Sequence, residues 1–180
     1  MKFDFAIGNP PYQEESNLQH ELAEDNKRNF APPVYNLFLE VAKAAEVLGL
    51  EETRQEYQKI ADRQWQVVKE EYFTATGRCA VKTQTGLILA LKYHLSENEE
   101  LTKQMLQKLL RDNKNKLNTG FVGTPLLCNV LTDHGMTDAA YRLLLNKEYP
   151  GWLHEVKLGA TTVWERWNSL DENGHVSSTG

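Results

Sequence analysis

The stretch TQTGLILALKYHLSENEELTKQMLQKLL, residues 83–110, contains two amphipathic helical patterns separated by a polar break. In its first half the apolar side chains recur at intervals of three and four residues, and the second half repeats that spacing over residues 101–110. Ser96 fits a helix N-cap, and Glu99 three residues later completes a capping box. Two helices with so short a break between them predict a helical hairpin.

The same spacing continues on both sides of this hairpin. Few segments alternate with a period of two, so residues 34–146 predict an all-α fold of antiparallel helical hairpins packed side by side. An apolar stripe over residues 34–45 predicts a first helix that stops at Gly49, and a stripe over residues 57–72 predicts a second helix with Trp65 in the core. A third helix is predicted from Thr83 to Leu95. After the helix at 101–110, Thr124-Pro125 predicts the N-cap and first turn of a helix that stops at Gly135, and Thr137 predicts the N-cap of the next one.

Three long non-helical stretches follow alternate helices, at residues 74–83, 112–124 and 146–162. Gly and Thr residues are concentrated in these stretches, and Trp152 lies in the last of them. Loops in such positions gather on one rim of a ring of hairpins. We therefore expect a binding site where these loops meet.

Composition restricts the partners of the chain. The net charge of -5 argues against a nucleic acid as the main partner, and no apolar run reaches membrane-spanning length. The N-terminal residues contain no long apolar run, so we expect no secretory signal. Cys79 and Cys128 form no CxxC motif, which predicts free thiols in a reducing cytoplasm. The five His residues are scattered, so we predict neither a metal site nor another cofactor.

The N-terminal stretch KFDFAIGNPPYQ, residues 2–13, places an Asn-Pro-Pro-Tyr motif after a strand-like run. In such a motif Asn9 and the carbonyl of Pro10 would accept the hydrogens of an adenine amino group, while Tyr12 stacks on the flipped base. Together with APPVYNLFLEVA at residues 31–42, this stretch resembles the N6-adenine DNA methyltransferases. Their cofactor-binding strand and Gly-rich loop have no counterpart upstream, so the adenine-binding residues are expected to be vestigial. The polar residues 13–31 predict a poorly ordered loop.

Near the other end, YPGWLHEVKLGATTVWERW at residues 149–167 places three tryptophans close to two glutamates. Indole faces pack against the C–H face of a sugar ring, and carboxyl groups carry out glycoside hydrolysis. The segment predicts a carbohydrate site.

Five segments carry a second resemblance, in this order: LGLEETRQEYQKIADRQW at 48–65, TQTGLILAL at 83–91, LNTGFVGTPLL at 117–127, HGMTDAAYRLLL at 134–145 and GATTVWERW at 159–167. Their order and spacing are similar to the catalytic domain of bacterial α-L-rhamnosidases, glycoside hydrolase family 78. The resemblance implies a six-hairpin (α/α)6 toroid, of which this chain would form a part.

The resemblance also implies an inverting hydrolase that removes terminal α-L-rhamnose. Glu165 corresponds to the general base of that family, and the aromatic candidates for substrate binding are Trp152, Trp164, Trp167 and Phe121. Glu155 matches no family role and is expected to be solvated. The general-acid motif of the family has no counterpart ahead of the matched region, so the isolated chain is expected to be inactive.

These resemblances predict two parts, a methyltransferase-like fragment at residues 1–40 and a partial glycosidase domain at residues 41–180. Three functions stay open: a rhamnosidase-type hydrolase fragment, an adenine methyltransferase fragment, and a non-catalytic helical carbohydrate-binding module. A rhamnose-containing carbohydrate is the expected partner. A partial toroid would leave helix faces uncovered, which predicts marginal stability and self-association.

Overall fold

The structure is a computed structural model that describes residues 35–120, 122–164, 166–167, 169–170 and 175–176. The segment with Asn9, Pro10 and Tyr12 and the polar loop predicted at residues 13–31 lie outside this part. The described residues form helices and two isolated antiparallel bridges, Phe73 with Cys79 and Leu170 with Val176. The all-α prediction is therefore confirmed for the described residues. The helices are α1 (residues 35–47), α2 (Glu51–Tyr72), α3 (Gln84–Lys92), α4 (Glu99–Asp112), α5 (Thr124–Asp133), α6 (Thr137–Leu144) and α7 (Trp152–Lys157).

Helix α3 lies at the centre of the core. It packs against α4 and α5, and α5 packs against α6, so these helices form two hairpins side by side. Because α3 has neighbours on several sides, its residues from Gln84 to Leu91 are buried except for Gly86. The core around it is made almost entirely of aliphatic side chains with at most 2% exposure: Leu87, Ile88, Leu91, Leu106, Leu110, Leu117, Leu127, Val130, Leu131 and Leu143.

Helices α1 and α2 contact each other through an aromatic pair, and three alanines on them are buried. Ala42 and Ala45 of α1 are buried, as is Ala61 of α2, and the rings of Phe38 and Tyr57 lie 6.2 Å apart. Trp65 of α2, which the sequence placed in the core, is only partly buried. The Lys69 ammonium lies 5.0 Å from the centroid of its ring, which is a cation–π distance.

The capping box predicted at Ser96 is wrong. Helix α4 begins at Glu99, and the Asn98 side chain caps it by accepting a hydrogen bond of 3.0 Å from the Leu101 amide. The buried Ser96 hydroxyl instead donates to the carbonyl of Gly77 at 3.1 Å. Ser96 is therefore used to hold the preceding loop, and the next polar residue with a short side chain takes over the cap.

The other helix boundaries differ from prediction by a few residues. Thr124 and Thr137 are the first helical residues rather than N-caps, and α3 ends at Lys92 rather than at Leu95. Gly49 and Gly135 adopt φ values of +70° and +72° directly after helices, which confirms both as stops. No helix in the described part of the chain is long and apolar enough to cross a membrane.

Candidate active site

Two of the three predicted rim loops meet in the structure. The Asn146 amide donates to the carbonyl of Asn115 at 2.9 Å, and the Lys116 ammonium lies 3.1 Å from the Glu148 carboxylate. The Leu117 amide also donates to the carbonyl of Pro150 at 3.4 Å. The segments at 112–124 and 146–162 therefore gather as predicted, but the prediction that the second is a loop throughout is wrong, because it contains helix α7 (Trp152–Lys157).

The third loop, residues 74–83, runs from the end of α2 to the start of α3. Its middle lies beside the turn that follows α3, because a Cβ atom at Gly77 would stand 2.9 Å from Cβ of Asn98. The same loop then leads to Thr83, whose side chain caps α3 by accepting a bond from the Gly86 amide. The prediction that all three loops gather on one rim is thus wrong for the middle of this loop.

Gln84, in the first turn of α3, sets the conformation of the LNTG loop, residues 117–120. Its side chain is fully buried, donates to the carbonyl of Lys116 at 2.9 Å, and accepts from the Asn118 amide at 2.8 Å. Sequence reasoning did not single out this residue. Its position was the available signal. Gln84 shares a helix face with Ile88 and Leu91, and a polar side chain on this apolar face indicates a buried group with hydrogen-bond partners.

Two of the predicted tryptophans contact each other. The rings of Trp152 and Trp167 lie 5.7 Å apart at 80°, an edge-to-face arrangement, and both pack against the hydrophobic core. The Trp167 indole N–H donates to the carbonyl of Thr119 at 3.2 Å. The GATTVWERW segment is therefore joined directly to the LNTG loop, and α7 supplies the second ring.

Of the other residues predicted for the carbohydrate site, the structure describes only Trp164. Trp164 is partly buried, and its amide donates to the Glu155 carboxylate at 3.4 Å. Phe121 and Glu165 lie outside the described residues. Trp164 and Trp167, on either side of the predicted base in the sequence, thus both contact residues of α7.

Glu155 is buried, with 3% of its surface exposed, so the expectation that it is solvated is wrong. Burial raises the pKa of its carboxyl group above the ordinary value, while the Trp164 amide and His154 act in the opposite direction. Sequence reasoning missed it because a lone Glu in a polar context usually faces water. Its spacing of three from Trp152 was the available signal, since both residues share one face of α7.

Known proteins that are similar to the chain identify its family. The sequence profile of the bacterial α-L-rhamnosidase six-hairpin glycosidase domain matches residues 23–179. The chain belongs to this family. The match includes residues 23–40, which the sequence prediction assigned to a methyltransferase-like fragment, so the boundary near residue 40 stays a prediction.

Relatives and solved structures agree with the family. An α-L-rhamnosidase of Formosa agariphila is 41% identical over 134 residues, which is 73% of this chain and 14% of that protein. The crystal structure of an α-L-rhamnosidase from Aspergillus terreus superimposes with a TM-score of 0.77 at 31% identity, covering 82% of this chain and 17% of that one. A Streptomyces avermitilis α-L-rhamnosidase solved with L-rhamnose gives a TM-score of 0.76 at 31% identity, covering 82% and 14%. The chain therefore has the rhamnosidase fold and spans about a sixth of these relatives' length or less.

Proposed function

We propose that the chain supplies the general-base side of a rhamnoside-hydrolysing site, in an inverting α-L-rhamnosidase. The observation that supports this is the hydrogen bond from the Trp167 indole to Thr119, which joins the GATTVWERW segment to the LNTG loop. Two separate family motifs thereby share one surface. A terminal α-L-rhamnose residue is the proposed substrate.

In this proposal Glu165 acts on water. Its carboxylate takes a proton from a water molecule while the water oxygen bonds to the anomeric carbon from the face opposite the leaving group. The bond to the glycosidic oxygen breaks, and that oxygen needs a proton from a second carboxyl group about 6.5–9.5 Å away. We assign no residue of this chain to that acid.

The tryptophans would form the wall of the sugar site. Trp152 and Trp167 fix each other edge-to-face and rest on the core, so their positions vary little. Rigid indole faces bind a pyranose with a small loss of side-chain entropy. Trp164 and Phe121 are proposed as further ring contacts from the same two loops.

The chain by itself is expected to hydrolyse an activated aryl α-L-rhamnoside weakly and natural rhamnosides hardly at all. Loss of general-acid catalysis costs about 10²–10⁴-fold, but a phenolate leaves without a proton and suffers less. The test compares the chain with Glu165→Gln, in which the base is neutral. Glu70→Gln is the matched control, because Glu70 is an exposed glutamate on α2.

The expected result is weak turnover that Glu165→Gln abolishes and Glu70→Gln leaves unchanged. Turnover that survives Glu165→Gln would contradict the base assignment. Rhamnose binding with no turnover in any form would identify a carbohydrate-binding module instead. These outcomes can be separated by measuring product release and rhamnose binding on the same samples.

We propose a cytoplasmic location from the state of the cysteines. Cys79 is buried and Cys128 is partly buried, and both are free thiols. Burial raises the pKa of each thiol above its usual value, which keeps it protonated and unreactive. Free, unreactive thiols suit a reducing compartment.

Self-association is proposed through one uncovered helix face. Tyr141 and Leu144 of α6 and its C-cap residue Leu145 are 59%, 41% and 59% exposed, and they follow each other at helical spacing. We call these three residues the α6 apolar stripe. Contiguous apolar side chains on a surface favour association.

A further inference from the structure

Glu155 is a buried carboxyl group on a six-residue helix, and no role has been assigned to it above. Its exposed fraction is 3%, and among the described residues its Oε1 atom has no hydrogen-bond partner. Burying a carboxyl group with incomplete hydrogen bonding costs stability, and an apolar side chain of similar size would avoid that cost. The residue therefore destabilises its own site unless it does something that an apolar side chain cannot do.

What Glu155 does is hold both ends of a short loop. Its backbone carbonyl accepts bonds of 3.0 Å from the amides of Leu158 and Ala160, where Gly159 turns the chain with φ of +89°. Its side-chain Oε2 accepts the bond from the Trp164 amide. The backbone of residue 155 thus fixes the start of the segment at residues 160–164, as any residue there would, and the Glu155 carboxylate fixes its end.

We infer that Glu155 is a positioning residue that holds the 160–164 segment and so sets where Trp164 and the following residue, Glu165, enter the site. The part of this inference that concerns Glu165 rests on the proposed function. The part that concerns the segment depends only on the contacts of Glu155. Glu155 acts through the backbone of Trp164 and does not need to touch the sugar.

The first experiment measures hydrogen exchange of single backbone amides by NMR on the ¹⁵N-labelled chain. Glu155→Met removes the acceptor and keeps the approximate size of the side chain, while Glu155→Gln keeps an acceptor oxygen. We expect the Trp164 amide to exchange about 10–100-fold faster in Glu155→Met and at nearly the original rate in Glu155→Gln. The amide of Leu131, in the middle of the core, should not exchange faster in either variant.

Two results would overturn the positioning role. In one, the Trp164 amide stays protected in Glu155→Met, which would show that the carboxylate does not hold it. In the other, Leu131 exchanges faster by the same factor as Trp164, which would mean that Glu155 supports the whole fold rather than this segment. Rescue by Glu155→Gln separates the two explanations even when Glu155→Met folds poorly.

The second experiment connects the segment to catalysis through an aryl α-L-rhamnoside. We expect Glu155→Met to lower kcat about tenfold or more with little change in KM, because a displaced base affects the chemical step more than sugar binding. An unchanged kcat together with a freed Trp164 amide would overturn the link to Glu165. If the original chain shows no turnover that depends on Glu165, the proposed function fails, and the exchange experiment still decides the role of Glu155.

Discussion

At residue 155 the structure places an ionisable group where the chain could have packed an apolar one. Burial raises the pKa of the Glu155 carboxyl group above its ordinary value of 4.5, and the Trp164 amide and His154 only partly oppose this shift. The folded chain therefore holds this proton more tightly than the unfolded chain does. By linkage, the free energy of unfolding contributed by Glu155 falls as the pH rises from 4.5 through the raised pKa.

The predicted consequence is that Glu155→Gln gains stability relative to the original chain as the pH is raised. Glutamine cannot ionise, so it avoids the cost of a buried charge above the raised pKa. Urea unfolding gives the free energy of unfolding of both proteins at pH 4 and at pH 7. The predicted effect is a larger advantage of Glu155→Gln over the original chain at pH 7 than at pH 4. A stability difference that is the same at both pH values would contradict the prediction.

Residue roles were harder to predict than residue positions. The tryptophans at 152 and 167 were recognised as site residues from their motif, and the structure places them in contact. Gln84 and Glu155 were not singled out, because their importance depends on burial and on backbone groups at residues 116–118 and 164, far from them in sequence or beyond a turn. A single sequence shows which residues are polar, but not which carbonyl or amide will lack water.

At the level of elements, the helices follow from their periodicity, but their ends depend on neighbours. The sequence predicted Ser96 as the N-cap before α4, and Asn98 was not singled out. The cap falls on Asn98 because the carbonyl of Gly77 takes the Ser96 hydroxyl. Apolar spacing is a local property, and it predicted the helix correctly. The N-cap residue instead depends on the hydrogen bond between Ser96 and Gly77, which lies 19 residues earlier in the chain.

The connection between α3 and the LNTG loop gives a prediction at this scale. Gln84→Met keeps the length of the side chain but leaves the Asn118 amide and the Lys116 carbonyl without their partner. We expect a loss of about 1–3 kcal/mol in the free energy of unfolding, the range for leaving a buried polar group unsatisfied. Urea unfolding measures it.

Gln104→Met is the matched control for that substitution. Gln104 lies exposed on α4 and pairs only weakly with Glu100 at 3.3 Å, so the same chemical change should alter stability by less than about 0.5 kcal/mol. Equal losses in the two variants would show that Gln84 does not have a special role in holding the loop.

At the scale of the whole molecule, the chain has a compact core but incomplete cover. Helix α3 is enclosed by α4 and α5, while α2 buries only Ala61 and Val68 along its 22 residues. Apolar side chains at Val47, Leu48 and Leu50 and in the α6 apolar stripe are exposed. The matched relatives are about five times longer than this chain, and its family domain is named for six hairpins, so uncovered helix faces are expected where other hairpins would pack.

The last prediction concerns the α6 apolar stripe and follows from that incomplete cover. We expect the chain to self-associate reversibly, and we expect Leu144→Lys combined with Leu145→Lys to weaken this association by about 10–100-fold. The two leucines are 41% and 59% exposed, so burying their remaining surface contributes about 1.5–3 kcal/mol, and each 1.4 kcal/mol is a tenfold change in Kd. Sedimentation velocity over a range of concentrations measures the change.

Leu48→Lys is the control, because Leu48 is 71% exposed but lies in the turn between α1 and α2. Association that is equally sensitive to Leu48→Lys would reflect general surface hydrophobicity. A monomer at every concentration would show that the stripe does not drive association, and that the two hairpins around α3 are stable without a further helix against α6.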